Sequence, residues 1–364
     1  MANRGRGDAG RLDRRRMMIT CDRPGVLALS LRWTPWRPAE PGRSRTRARP
    51  DRAVRPAAIV INGTLSPGLG RFRRRCREAA EAGGWEPSFL ETTLDDRGVG
   101  LARGAVAAGA AMVVAAGGDG TVRACAQALA GTQIPLAIVP LGTANLVARA
   151  LGIPRGVGGS LAAAFGGHER RIDLAVAEGA AAGTGGAGAA GGTGGLAFAA
   201  MAGIGLDAEV VAATPRPLKR RAGWLAYAAA GAAHLPGRGE SFTVRLDDGE
   251  PLARRARCVV VGNAGLLPGG FTLLPQARLD DGLLDVGILA PAGPVGWLRV
   301  AHQVLTGSGR DGQPLERHQA GRVEIRAESE LPREVDGEVI TPGRSLTVTL
   351  LRRALTVRVP RPGS

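Results

Sequence analysis

A chain of 364 residues with a formal net charge of +16 is long enough to build two cores rather than one. The charge suggests nucleic acid at first sight, but residues 1–55 hold 15 Arg against five acidic residues, so +10 of the +16 belongs to one end and specific nucleic-acid binding ranks last. Cys21, Cys76, Cys125 and Cys258 lack metal-ligand spacing and suggest neither a disulfide framework nor a zinc site, which fits a reducing cytoplasm. The longest apolar run, 105–116, is Ala-rich and short of a bilayer span.

In chain order, residues 1–55 mix Arg with Pro and Gly without a sustained period and read as a disordered tail. From residue 57, strands are predicted at 58–61, 85–90, 112–116 and 136–139, and helices at 72–82, 99–110, 122–130 and 144–151. This alternation implies a parallel sheet with helices on both faces over 56–155, whose ligands sit at the carboxyl ends of the strands. Beyond Pro154 the predicted strands at 172–176, 242–246, 258–261, 284–289, 323–325 and 346–350 are short and separated by turn residues. They imply a mainly antiparallel β-sandwich domain over 156–364, with its last strand returning to the first domain and a cleft between the two. Residues 179–195 are nearly all Gly, Ala and Thr and read as a flexible insertion.

Three predicted strands end in small or glycine-rich loops: Asn62-Gly63-Thr64, Gly117-Gly118-Asp119-Gly120-Thr121 and Gly142-Thr143-Ala144-Asn145. Glycine lets the backbone approach an anion, and the helix that follows offers unpaired N–H groups at its positive end. Any one loop is as readily an ordinary turn, with Asp119 or Thr121 as a helix cap. Three loops on one sheet edge describe a phosphate-binding cleft. A carboxylate at Asp119 would repel phosphates unless Mg²⁺ lay between them or the group served as a proton acceptor. No Walker-type Lys and no GxGxxG fingerprint occurs in these loops.

GGDGTVRACAQALAG and IPLAIVPLGTANLVARALGIP, followed by GNAGLLPGGFTLLPQARLDDGLLDV and EVDGE, closely resemble the diacylglycerol kinase catalytic domain shared by bacterial lipid kinases, sphingosine kinases and ceramide kinases. The resemblance implies an ATP- and Mg²⁺-dependent kinase that phosphorylates a hydroxyl of diacylglycerol or a related lipid. It also implies a cytoplasmic protein peripherally associated with the inner face of the membrane, and a homodimer is compatible with it. By the same resemblance, Gly117, Gly118, Asp119, Gly120 and Thr121 form the nucleotide-phosphate loop. Asn62 and Thr64 form the first loop, and Gly142, Thr143 and Asn145 a further edge of the ATP site. Asp336 would be the general base with Glu338 beside it, while in sphingosine kinases that role goes to the glycine-loop Asp, here Asp119. The two remain rivals. Asp281 and the carbonyl of Leu283 correspond to a Mg²⁺ site of the bacterial branch, although Asp280-Asp281 reads equally well as a hairpin.

The letters DGE occur twice. The copy at Asp248 lies between strands, where Asp-Gly is an ordinary hairpin turn, whereas that at Asp336 matches the family in order and position. The first loop reads NGT where the family commonly has Asn-Pro, and Leu146 stands where many members have Asp. Lys219, Arg220 and Arg221, with Trp224, Leu225 and Tyr227, place charge and aromatics on one predicted helix that suits anionic headgroups or, equally, a buried helix with a basic start. Two other readings stay open: an NAD kinase-like phosphotransferase, which shares GGDGT, and an inactive nucleotide- or lipid-binding module.

Overall fold

The computed structural model describes residues 54–63, 68–178, 195–205, 239–267, 272–307 and 313–363. Thr64, most of the 179–195 segment and the 219–227 helix lie outside the described residues, as does the tail as far as residue 53.

The chain begins with β1 (Arg55–Ile61), α1 (Leu69–Ala82), β2 (Trp85–Glu91), α2 (Val99–Ala107), β3 (Met112–Gly117), α3 (Asp119–Leu129), β4 (Leu136–Pro140), α4 (Leu146–Ala150) and α5 (Val157–Gly166). β2, β1, β3 and β4 pair side by side, all parallel. Because strand residues alternate faces, Ile59 and Ile61 join Met112 and Val114 under α1 and α5, while Val60, Val113 and Ala115 point to the opposite face under α2, α3 and α4. This is a doubly wound parallel sheet.

The rest runs through β5 (His168–Glu178), β6 (Leu196–Phe198), β7 (Met201–Gly205), β8 (Glu240–Leu246), β9 (Leu252–Ala256), β10 (Cys258–Gly262), β11 (Leu284–Leu289), α6 (Gly293–Thr306), β12 (Leu315–Ala320), β13 (Arg322–Val335) and β14 (Glu338–Val359). Every pairing among these strands is antiparallel among the described residues, and the main path runs β12-β11-β10-β7-β13-β14. Phe198, Phe242, Val259, Val261, Ile325 and Val348 share one dry cluster on the inner face of this half. On the other face, Cys258 and Val260 meet Val300 and Val304 of α6.

β14 joins the two halves. Its first part, from Glu338 to Thr349, pairs with β13, its later part, from Thr347 to Val359, pairs with β5, and Val357 runs parallel beside Leu136 of β4. One hydrogen-bonded sheet of 14 strands therefore carries both halves, which fixes the β13–β14 hairpin relative to the loops of the parallel half.

Candidate active site

β1, β3 and β4 are neighbours and run in one direction, so the loops that follow them emerge on one edge. The Asn62 N–H donates to the carbonyl of Ala116 (3.1 Å), and that of Leu141 to the carbonyl of Gly117 (2.8 Å). Two of the loops touch at glycine. A Cβ built on Gly142 would stand 2.5 Å from the Cα of Gly118, and one built on Gly117 would stand 2.4 Å from Oγ1 of Thr121. No side chain fits at either place, which explains the glycines by packing as well as by anion access. Gly120 meets no such obstacle, and Thr143 is exposed.

The sequence suggests Asp119 or Thr121 as the cap of the helix after the glycine loop. In the structure Gly118 occupies that position without a side-chain bond, and Asp119 lies in the first turn of α3. Asp119 instead serves the next loop: its carboxylate accepts the N–H of Asn145 (2.8 Å) and of Leu146 (2.7 Å), at the start of α4. Asn145 sits in the left-handed region at φ 47° and exchanges hydrogen bonds with Gly142 through its side-chain amide. Burial pushes the Asp119 carboxyl up from the ordinary carboxylate range, against the pull of these N–H groups.

Asp336 and Gly337 form the two-residue turn between β13 and β14, with φ of 50° and 77° and Val335 paired to Glu338. Such a turn calls for Asp-Gly or Asn-Gly because both residues need positive φ. The turn abuts the segment before β7. The Asp336 N–H donates to the carbonyl of Met201 (2.8 Å), and its Oδ1 accepts the N–H groups of Ala200 and Met201 (both 3.0 Å). Burial raises the Asp336 carboxyl to about 6; the charge of Arg123 and the N–H of Met201 oppose that rise, and the charge of Asp119 adds to it. Asp336, Arg123 and Asp119 thus share one electrostatic neighbourhood, and the hairpin is tied through Glu338 to α3, the helix that follows the glycine loop.

Three contributors were not legible in the sequence. Arg123, in the second turn of α3, and Arg97, just before α2, both form ion pairs with Glu338, so the tip of the β-rich half is clamped to the parallel half. Glu338 therefore already has two cationic partners. Arg123 is only 11 % exposed, and its Nη1 is buried with no hydrogen-bond partner. The third is Asn263, whose Nδ2 donates to the carbonyls of Asp173 (3.0 Å) and Ala199 (3.3 Å), bracing from behind the segment that holds Asp336. The sequence separations of 241 and 215 residues for the two ion pairs explain why no local pattern reveals them.

Asp281 is exposed, and its Oδ1 accepts the N–H of Leu283 (3.1 Å) within a turn; Asp280 pairs with Arg170 (2.6 Å). No group of three or more His, Cys, Asp or Glu side chains able to hold a metal occurs among the described residues. One carboxylate and one carbonyl can hold a hydrated Mg²⁺, which keeps most of its water shell.

The diacylglycerol kinase catalytic domain family matches residues 56–177, and the YegS C-terminal NAD kinase beta sandwich-like domain matches residues 200–359. A probable lipid kinase YegS-like from Pseudomonas aeruginosa is 35% identical over 309 residues, 82% of this chain and 90% of that protein. A second from Pseudomonas fluorescens is 32% identical over 309 residues, 84% of this chain and 96% of that protein. The fold is that of a crystal structure of a putative diacylglycerol kinase from Bacillus anthracis, which covers 84% of this chain and 97% of its own, with TM-score 0.67 and 22% identity. The chain belongs to the diacylglycerol kinase catalytic domain family of lipid kinases, phosphotransferases with an alcohol acceptor.

Proposed function

We propose that the chain transfers the γ-phosphate of ATP, with Mg²⁺, to a hydroxyl of diacylglycerol or a closely related lipid presented at a membrane surface. The observation that carries this reading is the clamp from Glu338 to Arg123, which ties the hairpin bearing Asp336 to the helix that follows the glycine loop.

In this reading the triphosphate lies along the loops of Asn62 and Thr64, of Gly117 to Thr121 and of Gly142, Thr143 and Asn145. The start of α3 supplies N–H groups and a positive dipole end. The unpartnered Nη1 of Arg123 is a further donor for a phosphate oxygen. Mg²⁺ bound to the phosphates supplies charge neutralisation there. A second Mg²⁺, held by Asp281 and the carbonyl of Leu283, would be structural.

The lipid hydroxyl oxygen bonds to the γ-phosphorus as the bond from that phosphorus to the β,γ-bridging oxygen breaks, ADP leaves, and the hydroxyl proton passes to Asp336. Asp336 is favoured over Asp119 because its Oδ2 accepts only one long N–H contact, from Ala199 (3.4 Å), whereas both oxygens of Asp119 accept short bonds at the start of α4 (2.8 and 2.7 Å). A carboxyl near 6 is ionised at neutral pH yet basic enough to accept a proton. Glu338, with its two guanidinium partners, positions the hairpin and takes no proton.

The test offers purified chain γ-labelled ATP with dispersed diacylglycerol and, in parallel, with NAD. Label is expected in the organic phase, lost on chelation of Mg²⁺ and lost in Asp336→Asn. Label appearing only in the NAD reaction, or in neither, contradicts the proposal.

A further inference from the structure

Leucine and valine side chains are rarely left to water in a row unless something covers them. Among the described residues the large hydrophobics that stay exposed include Val295 (60%), Leu298 (71%) and Leu305 (70%), all on α6. At 100° per residue these positions and the exposed Arg299 and His302 fall within one arc of the helix. The opposite side carries Val300 and Val304, buried against the β-rich half. α6 is therefore apolar on both faces.

The composition of α6 narrows what can cover the outer face. Its sequence, GPVGWLRVAHQVLT, contains no acidic residue. Arg299 stands on the exposed face, and Arg317 of β12 reaches the C-terminal end of the helix, donating toward the carbonyls of Gln303 (3.4 Å) and Gly307 (3.5 Å). That guanidinium is taken up by carbonyls, so Arg299 is the arginine the exposed face offers. Exposed leucines beside an exposed arginine, on a helix without acids, match an anionic lipid surface, where the apolar face enters the acyl boundary and the cation meets headgroups. No described helix is long and apolar enough to cross a membrane, so α6 would lie on the bilayer.

A second observation ties this face to the reaction. The buried cluster beneath α6 runs through Val300, Val304, Leu273 and Leu274 to Met201. Met201 accepts the Asp336 N–H at its carbonyl and donates its own N–H to Oδ1 of Asp336. One continuous apolar cluster thus runs from beneath α6 to the residue that bonds the proposed proton acceptor, Asp336.

We infer that the outer face of α6 is the membrane-docking surface of the protein, taking up anionic bilayers through Val295, Leu298 and Leu305 with Arg299 at its edge. The inference rests on the lipid-kinase reading, and the experiment separates the two. Wild type and the double variant Leu298→Gln/Leu305→Gln are sedimented with vesicles of phosphatidylcholine alone and of phosphatidylcholine with phosphatidylglycerol. Both are also assayed on diacylglycerol in those vesicles and on a short-chain, monomeric diacylglycerol.

The double variant is expected to lose at least about tenfold in binding to anionic vesicles and in activity on bilayer substrate, from the apolar area no longer inserted. On the monomeric substrate it keeps wild-type activity within about twofold, which also shows that it is folded. Equal vesicle binding by wild type and variant overturns the docking surface while leaving the kinase intact. A wild type that binds vesicles but phosphorylates neither substrate overturns the kinase reading instead. A wild-type dimer that becomes monomeric in the variant, with vesicle binding unchanged, overturns the inference by showing that a second copy covers this face.

Discussion

The molecule contains the same three letters at two turns, and only one of them is joined to the parallel half by ion pairs among the described residues. Between β8 and β9 the turn of 247–251 carries Asp248-Gly249-Glu250 at the exposed surface, and the residue in the left-handed region is Asp247, at φ 50°. Its Oδ1 accepts the N–H groups of Gly321 (2.9 Å) and Arg322 (2.8 Å), stapling one edge of the sheet. Between β13 and β14 the turn is two residues long, the left-handed residue is Asp336 itself, and its carboxylate is turned to the backbone of Ala200 and Met201. Backbone geometry differs in the two: positive φ falls on both residues of the Asp-Gly pair at 336–337, but on neither residue of the pair at 248–249. The surroundings differ as well: Glu250 is exposed, while Glu338 is clamped to two arginines of the other half. Being a turn and being a base are therefore compatible roles, and location decides between them.

The largest expected effect separates the hairpins directly. Asp336→Asn should lower kcat by on the order of 10³-fold or more through loss of general base catalysis, while Asp248→Asn stays within about twofold, both read by label transfer to diacylglycerol. If the two variants fall equally, the distinction is broken.

Arg123→Met should lower kcat/KM by about 10²-fold, because it removes both a phosphate donor and the clamp. It should also move the acid limb of the pH profile upward from about 6, since the Arg123 charge holds the Asp336 carboxyl down. A merely structural arginine would lower the rate and leave that limb in place.

Gly142→Ala, whose Cβ would lie 2.5 Å from the Gly118 Cα, should cost about 1–3 kcal/mol of stability and raise KM for ATP, by denaturant melts and kinetics. Gly120→Ala, with nothing within 4 Å, should leave stability nearly unchanged. The smallest effect belongs to Arg97→Ala. Its side chain is 60% exposed, so loss of its half of the clamp should cost under about 1 kcal/mol in the same melts.

Asp336 also links stability to pH. Burial raises its folded carboxyl to about 6 from the ordinary 3.8, so the folded state holds a proton that the unfolded chain has lost between those values. The stability this group contributes is present at low pH and is lost as pH rises through about 6. At alkaline pH Asp336→Asn should therefore be inactive yet melt no lower than wild type.

Much of the parallel half was legible because its strands are uninterrupted apolar runs such as 112–116, punctuated by glycine. α5 was not, since VGGSLAAAFG is rich in glycine and owes its helix to packing of Leu161 and Phe165 against the sheet. β9 (LARRA) and β12 (LERHQA) were missed because charged residues interrupt their alternation; β9 is held by its hairpin partner β8 and β12 by β11 across the α6 connection. The glycine loops and both candidate bases were visible as letters. The clamp of Arg97 and Arg123 on Glu338 was not, because it exists only once the two halves meet.

The central claim, that Asp336 rather than Asp119 receives the proton of the lipid hydroxyl, is tested most directly by the pH dependence of kcat/KM in wild type and Asp119→Asn. The charge of Asp119 raises the Asp336 carboxyl, so the variant should be slower but keep its acid limb, displaced below about 6. A variant whose rate no longer varies across the acid range would make Asp119 the base and contradict the account.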